Sequence, residues 1–172
     1  MTHSDRRKTL RRLTYSSLSA ALIFCATFFI RVQIFSGYIH IGDVLVFLSA
    51  VILPAPYAAA ASALGTGLAD LCGGCPIYIP VTAAIRIFSV LCFSRNSRKN
   101  KFINTRNIIS LVFSALLTCV GYFIFDAAIV YGNTVSAIAG VPFNLIQSAA
   151  GAVLFIIIGS AADRGRITFP EL

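Results

Sequence analysis

Ionisable side chains interrupt apolar stretches of this chain, and their chemistry is that of a buried polar pocket. Two carboxylates and a guanidinium, those of Asp43, Asp70 and Arg86, stand within otherwise apolar segments. A charged side chain near the centre of a lipid bilayer costs at least ~2.5 to 3.5 kcal/mol, so such residues face protein, water or a ligand. They indicate a polar site inside a membrane protein.

Other polar residues occur at the same predicted depth as Arg86 and repeat at helical spacing, so that each set shares one helix face. A pocket open toward the outside is the economical explanation, and its candidate substrate-binding residues are Thr82, Arg86, Tyr122, Asp126, Asn144 and Gln147. One alternative is that Arg86 forms an ion pair with Asp126 or Asp70 that only neutralises buried charge. Another is that Asn144 and Gln147 make hydrogen bonds between helices.

The segment before Asp43 has the composition of a lid. Tyr38 and His40 supply an aromatic face and hydrogen-bond donors that suit a flat heteroaromatic ligand. An interfacial aromatic belt would also place Tyr38 there. Asp43 follows Gly42 at a predicted helix start, where a carboxylate can cap free N–H groups, and we expect this structural role for it.

The elements that must position these residues are membrane-spanning helices. The chain has 172 residues, of which 58% are hydrophobic and 12% charged, an extreme composition for a soluble domain. Crossing ~30 Å of hydrocarbon takes about 17 to 25 residues, and the second and fourth segments are short by this measure. The sequence predicts an all-α six-helix bundle with segments at about Thr14–Ile30, Asp43–Leu53, Tyr57–Cys72, Pro80–Phe93, Ile108–Tyr131 and Ala137–Ala162.

Positive charges predict the orientation of the bundle. Lys and Arg cluster in the N-terminal tail (residues 1–13), in the loop 94–107 and in the C-terminal tail (163–172), which flank and divide the membrane domain 14–162. Since such clusters stay on the cytoplasmic side, both termini are predicted to be cytoplasmic. The net charge of +8 is then explained by the cytoplasmic clusters, which anionic lipid headgroups attract. Nucleic-acid binding is a poor explanation of this charge.

Small residues and cysteines give weaker signals. Ser17, Ala21 and Cys25 repeat every four residues in the first helix, and Ala61, Gly65, Ala69 and Gly73 do so in the third. Such faces allow close helix packing, either within this chain or with another membrane subunit. Most of the five cysteines are interpreted as packing residues; the Cys72 and Cys75 pair is compatible with a disulfide. We expect no metal site.

Four stretches carry a resemblance to a known family. GYIHIGDVLVFLSA, ALGTGLADLCGG and YIPVTAAIR, with PFNLIQSAAG near the end, resemble the substrate-binding S component of energy-coupling factor (ECF) vitamin transporters, in particular the riboflavin-type or general S-component branch. The similarity covers nearly the whole chain from Leu13 to Ala162. It departs at LPAPYAA, where relatives often carry glycines.

The resemblance implies a substrate-binding subunit in the plasma membrane of a prokaryote, not an enzyme. The S component would take a vitamin or vitamin precursor from the outside and work with a T component and two ABC ATPases. It would bind substrate through Arg86, Asp126, Asn144 and Gln147 under a lid containing Tyr38 and His40, and would dock on the T component through Ser17, Ala21 and Cys25. The chain has no GxxxxGK[ST] loop, so ATP is expected to be used by the partner ATPases and no cofactor is expected here.

Two other classes of function stay open on the residues alone. An intramembrane enzyme would use Asp43, Asp70 or Asp126 as an acid–base pair, although none lies in a recognised catalytic motif. A ligand-free membrane adaptor would not need so many polar groups at one depth. The vitamin is not identified by the sequence, and the charge of Arg86 suits a carbonyl, phosphate or carboxylate.

Overall fold

The structure is a computed structural model that describes residues 3–34, 37–93 and 101–167, and the side chains of residues 5–32, 39–93 and 101–167. Within these ranges the fold is a helical bundle with one β-hairpin. Its elements are α1 (His3–Phe28), β1 (Arg31–Ile34), β2 (Gly37–His40), α2 (Gly42–Ile52), α3 (Ala55–Cys72), a 3-10 turn (Pro76–Tyr78), α4 (Ile79–Cys92), α5 (Thr105–Phe125), a π turn (Asp126–Val130), α6 (Thr134–Ile138) and α7 (Val141–Arg164).

The hairpin is the one departure from an all-helical chain in the described ranges. β1 and β2 pair antiparallel, with Val32 opposite Ile39 and Arg31 opposite His40. We call the end of the bundle that carries it the hairpin end. The opposite end, where α1 and α5 begin and α7 ends, is the basic end.

The last predicted segment is divided in the structure. α6 ends at Ile138 and α7 begins at Val141, with Pro142 in its first turn. Proline has no N–H to donate and its ring clashes with the preceding turn, so it is tolerated at a helix start but not inside a helix. The prediction of one continuous helix from about Ala137 is therefore wrong for its first turn, which belongs to α6 and the break before α7.

The first helix also begins earlier than the predicted span. α1 starts at His3 and runs without a break to Phe28, so the basic N-terminal residues are helical and continue the span. Of the predicted basic loop, residues 94–100 lie outside the described residues, and with them Arg95, Arg98 and Lys99.

Close packing of α1 on α3 explains the small residues of the third helix. A Cβ added at Gly65 would lie 2.6 Å from the carbonyl oxygen of Ala20 and 2.9 Å from the Cβ of Ile23. Ala61 and Ala69 are buried on the same face. This face of α3 therefore packs inside the chain, which was one of the two predicted uses of a small-residue face.

Hydrogen bonds connect α7 to the segment before α5 at the basic end. The carboxylate of Asp163, in the last turn of α7, accepts hydrogen bonds from the backbone N–H groups of Phe102 and Ile103, both at 2.9 Å. Asn104 caps α5 by accepting from the N–H of Asn107 at 3.0 Å. These bonds hold the segment before α5 against the end of α7.

Surface composition agrees with a membrane environment. Two helical stretches, Thr105–Val130 and Thr134–Arg164, are long and apolar enough to cross a bilayer, and Gly42–Ile52 and Pro76–Cys92 are shorter apolar helices. Large apolar side chains such as Ile109, Leu116, Ile124 and Ile157 are about 60% exposed along α5 and α7. Apolar surface of this extent is rare on soluble monomers and indicates contact with lipid or protein.

Candidate ligand-binding site

The centre of the site is an ion pair between α4 and α2. Arg86 is fully buried, and its Nη2 lies 2.7 Å from Oδ1 of Asp43, which is also fully buried. The sequence offered Asp126 or Asp70 as the partner of Arg86 if its charge was only neutralised, whereas the ion pair in the structure is with Asp43. Since Asp43 stands at the start of α2 and α4 passes beside it, the pair joins two helices near the hairpin end.

Asp43 does not cap its helix. The residue at the cap position of α2 is Ile41, and no side chain makes a capping hydrogen bond there. The carboxylate instead turns toward Arg86, because an unpaired buried guanidinium is far more costly than a helix end without a side-chain cap. The expected structural role of Asp43 is therefore corrected to that of a counter-ion.

Gln147 of α7 completes the connection between these helices and the hairpin. Its Nε2 donates to Oδ2 of Asp43, and its Oε1 accepts from the backbone N–H of His40, each at 3.3 Å. Gly151, one turn further along α7, allows this approach, since a Cβ there would lie 2.9 Å from the Cβ of Asp43. Gln147 therefore makes hydrogen bonds to other elements of the fold, which the sequence offered as an alternative to ligand binding, and its substrate-binding role stays a prediction.

His40 is held neutral at the root of the hairpin. Its Nδ1 accepts a hydrogen bond from the N–H of Gly42 at 3.0 Å and lies 3.9 Å from Oδ1 of Asp43. Burial lowers the pKa of His40 from 6.5 to about 4, although the charge of Asp43 acts in the opposite direction. Since Nδ1 accepts, the proton of the neutral ring is on Nε2.

A second set of polar side chains lies beside the ion pair. The hydroxyl of Tyr78 donates to Oδ1 of Asp126 at 2.8 Å. Thr82 and Tyr122 share a hydrogen bond at 2.9 Å between their hydroxyls. Because Thr82 is one helical turn from Arg86, this set continues the polar face of α4.

Aromatic rings surround the second set. The ring centres of Tyr78 and Tyr122 are 6.1 Å apart, and those of Tyr78 and Phe125 are 5.5 Å apart. Pairs at such distances pack edge to face or tilted. They offer apolar faces next to hydrogen-bonding groups, which is the usual composition of a small-molecule site.

Arg86 has hydrogen-bond donors that the ion pair with Asp43 does not use. Its Nε and Nη1 are buried and make no hydrogen bond with any residue that the structure describes. More than nine in ten buried polar groups are satisfied in native proteins, so two unsatisfied donors on one guanidinium are unusual. Their arrangement suits a ligand that presents hydrogen-bond acceptors.

The remaining predicted site residues have different outcomes. Asn144 is half-buried near the start of α7, one turn before Gln147. Asp70 is buried in α3 and lies within electrostatic reach of Arg86. The backbone of Tyr38 is in β2, but its side chain is outside the described part of the chain. The substrate-binding role of Asn144 and Tyr38 stays a prediction.

Sequence reasoning missed two partners, Asp43 as the counter-ion and Tyr78 as the donor to Asp126. For Asp43, its position at a helix start favoured the capping interpretation. Tyr78 lies in a short turn between α3 and α4, and no spacing rule connects it to Asp126, which is 48 residues away in the sequence. These pairings depend on how the helices pack.

The predicted docking face of α1 is exposed. Ser17, Ala21 and Cys25 all lie on the surface, while Ile23 and Ala26 face the interior. Ser17 and Ala21 line an apolar groove of about 710 Å³ between α1 and α3. This groove is distinct from the polar cluster, because the two sets share no lining residue.

Cys72 and Cys75, at the hairpin end of α3, are not joined in the structure, so the disulfide that the sequence left open is not formed here. No group of three or more side chains suited to a metal ion occurs among the described residues.

Comparison with known families decides the assignment. The family model of the ECF-type riboflavin transporter S component matches residues 7–164, which is nearly the whole chain. The chain belongs to this family. No curated protein matches it. This match confirms the resemblance seen in the sequence. ECF S components are membrane-embedded, substrate-binding transporter subunits and not enzymes, so the intramembrane enzyme is excluded.

Proposed function

We propose that this S component binds a small water-soluble vitamin or vitamin precursor from outside the cell in the cluster around Arg86. Riboflavin, which the family's name carries, is the first candidate. The observation that carries the proposal is the fully buried Arg86, paired with Asp43 yet holding two donors without a partner. Purely structural neutralisation would not require those donors.

The burial of polar side chains favours the hairpin end as the place of binding. Polar side chains from α2, α4, α5 and α7 meet there, and the root of the hairpin is tied to them through His40 and Gln147. In this proposal the hairpin would cover a ligand held by Arg86, Asp126, Asn144 and Gln147, with Thr82 and Tyr122 beside them. Tyr38 and His40 would belong to this lid.

The proposed topology has six crossings with both termini in the cytoplasm of a prokaryotic cell. α1, α2, α3, α4, α5 and the α6–α7 pair supply the crossings, although α2 and α4 are short. Cations support the orientation, since Arg6, Arg7 and Arg106 lie at the basic end and Arg31 at the other. The hairpin end then faces outward.

The proposed partners are a T component and two ABC ATPases. The exposed Ser17, Ala21 and Cys25 would contact the T component, since small residues let another membrane helix approach closely. ATP hydrolysis would take place in the ATPases. Uptake of the vitamin by cells should then need all three kinds of subunit, and uptake by this chain alone would contradict the proposal.

Native mass spectrometry of the gently purified chain tests the binding function. We expect one vitamin-sized molecule to be retained per chain in the wild type. Arg86→Gln combined with Asp43→Asn should lose it, because the variant removes the donors without leaving a lone buried charge. Arg6→Gln, which removes the same charge from an exposed site, is the matched control and should retain it. Equal retention by all three proteins would remove Arg86 from the site.

A further inference from the structure

Asp126 is the second carboxylate of the site, and the site's basic groups do not neutralise it. Arg86 and His40 both lie next to Asp43. Asp126 is 5% exposed, and its Oδ1 accepts the hydrogen bond from Tyr78. The carboxylate of Asp126 lies at the rim of the polar cluster, and its side-chain partner there is a hydroxyl rather than a cation.

The sum of charges around Arg86 is consequently not positive. Asp43 opposes the guanidinium at 2.7 Å, and His40 is neutral. Asp126, in the second set of side chains with Tyr78, adds an acidic group to the site and no cation. Asp70, which lies within electrostatic reach of Arg86 and Tyr122, adds no positive charge of its own.

The surroundings of Asp126 suit one kind of ligand group. Tyr78, Tyr122 and Phe125 place aromatic rings beside the carboxylate. A flat heteroaromatic ring could pack on these side chains while an N–H at its edge donates to Oδ2, which has no hydrogen-bond partner among the described side chains and backbone groups. The carboxylate of Asp126 disfavours a phosphate on the same ligand, and Arg86, opposed by Asp43, offers no net positive charge to attract one.

We propose that Asp126 determines specificity in this site: it accepts a hydrogen bond from an N–H or cationic group of a heteroaromatic ligand and excludes phosphorylated forms of that ligand. The inference rests on the proposed function, since it assigns the chemistry of the same ligand. It also narrows the range of ligand groups expected from the sequence, since the charge of Arg86 alone suited phosphates and carboxylates. With Asp43 as its counter-ion, Arg86 supplies hydrogen-bond donors rather than net positive charge.

Competition between each vitamin and its phosphate ester tests this inference. The purified chain is offered riboflavin with riboflavin phosphate, thiamine with thiamine phosphate, and pyridoxal with pyridoxal phosphate, and bound ligand is measured by native mass spectrometry. Wild type should bind the free form of at least one pair about tenfold or more tighter than the phosphate. Asp126→Asn should bring the two affinities closer, by weakening the free form, strengthening the phosphate, or both.

Two further variants complete the design. Asp5→Asn removes an equal charge from an exposed position at the basic end and should leave the preference as in wild type. If Asp126→Asn does not fold, Asp126→Ser provides a second neutral side chain for the same comparison.

The outcomes separate this inference from the function on which it rests. A wild type that binds the phosphate as tightly as the free vitamin, or a preference that the neutral variants leave unchanged, would overturn the role of Asp126 while leaving vitamin binding intact. Failure of the wild type to bind any member of the three pairs would contradict both.

Discussion

Arg86 and Asp43 depend on each other at the scale of single residues. Both are fully buried and only 2.7 Å apart, so removing one leaves the other as a lone charge among apolar helices. Breaking a buried pair in this way lowers the free energy of unfolding by about 3 to 5 kcal/mol. Replacing both partners by well-packed uncharged residues often changes it little.

This dependence predicts the stability of charge variants. Arg86→Gln alone should lower the thermal unfolding temperature clearly, and adding Asp43→Asn should restore most of the loss. Thermal unfolding of the detergent-solubilised protein, followed by intrinsic tyrosine fluorescence, measures both. A double variant no more stable than the single one would show that the pair does not act as a unit.

His40 predicts a dependence on pH. Its pKa is about 4 in the fold and 6.5 in the unfolded chain, so the folded state binds the proton less readily. The neutral ring's contribution is therefore fully present above about pH 6.5. As pH falls from 6.5 toward 4, stability should decrease by up to about 1.4 kcal/mol per pH unit.

The measurement is the unfolding temperature at several pH values, for wild type and for His40→Gln. His40→Gln removes the titrating ring, so its curve should be flatter between pH 6.5 and 4. Parallel curves for the two proteins would show that another group causes the dependence. Asp43 and Arg86, which face the ring, are present in both proteins.

At the scale of elements, α1 uses two faces for two purposes. Ile23 and Ala26 pack inward, whereas Ser17, Ala21 and Cys25 lie on the surface. Ala21→Trp should therefore spare vitamin binding by the isolated chain and abolish uptake by the complete transporter. Leu22→Trp, at a neighbouring exposed and already bulky position, is the control, and uptake by it should continue. Normal uptake with Ala21→Trp would reject this face as the docking surface.

The contact between α7 and the segment before α5 predicts a local effect. Asp163 accepts from the N–H groups of Phe102 and Ile103. Asp163→Ala should speed the exchange of these two amide hydrogens by about tenfold or more, since hydrogen bonds to charged groups contribute about 1.5 to 3 kcal/mol. Hydrogen exchange with mass spectrometry measures this, and amides in the middle of α5 serve as the control. Unchanged exchange at Phe102 and Ile103 would show that other contacts hold the segment.

Most of the helices could be predicted from the sequence because each depends on a local pattern. Apolar length and turn residues placed α2, α3 and α4 within a few residues of their ends, and the fifth predicted segment covers α5 together with the π turn that follows it. The break before α7 follows from Pro142, a local signal that the apolar run concealed. Arg86 and Gln147 were predicted to face inward because spacing fixes a helix face.

Pairing between helices could not be predicted in the same way. The partner of Arg86 depends on where α2 crosses α4, and three carboxylates were available to it. The contact of Tyr78 with Asp126 needs the turn after α3 to lie against the end of α5. Such choices come from packing, which no single segment encodes.

At the scale of the whole molecule, the two ends have different tasks. The hairpin end gathers the buried polar cluster, while the basic end carries the exposed cations. This separation suits a subunit that receives a ligand on one side of a membrane and is energised from the other. Transport then requires that the ligand binds the outward and inward states with different affinity.

The most direct test of the account is a binding titration of the isolated chain with the vitamin recovered from it. Isothermal titration in lipid nanodiscs should give one ligand per chain, and Arg86→Gln with Asp43→Asn should weaken its binding about tenfold or more while the protein stays folded. Unchanged affinity in that variant, or a wild-type chain that yields and binds no vitamin, would contradict the claim that this buried cluster is the ligand site.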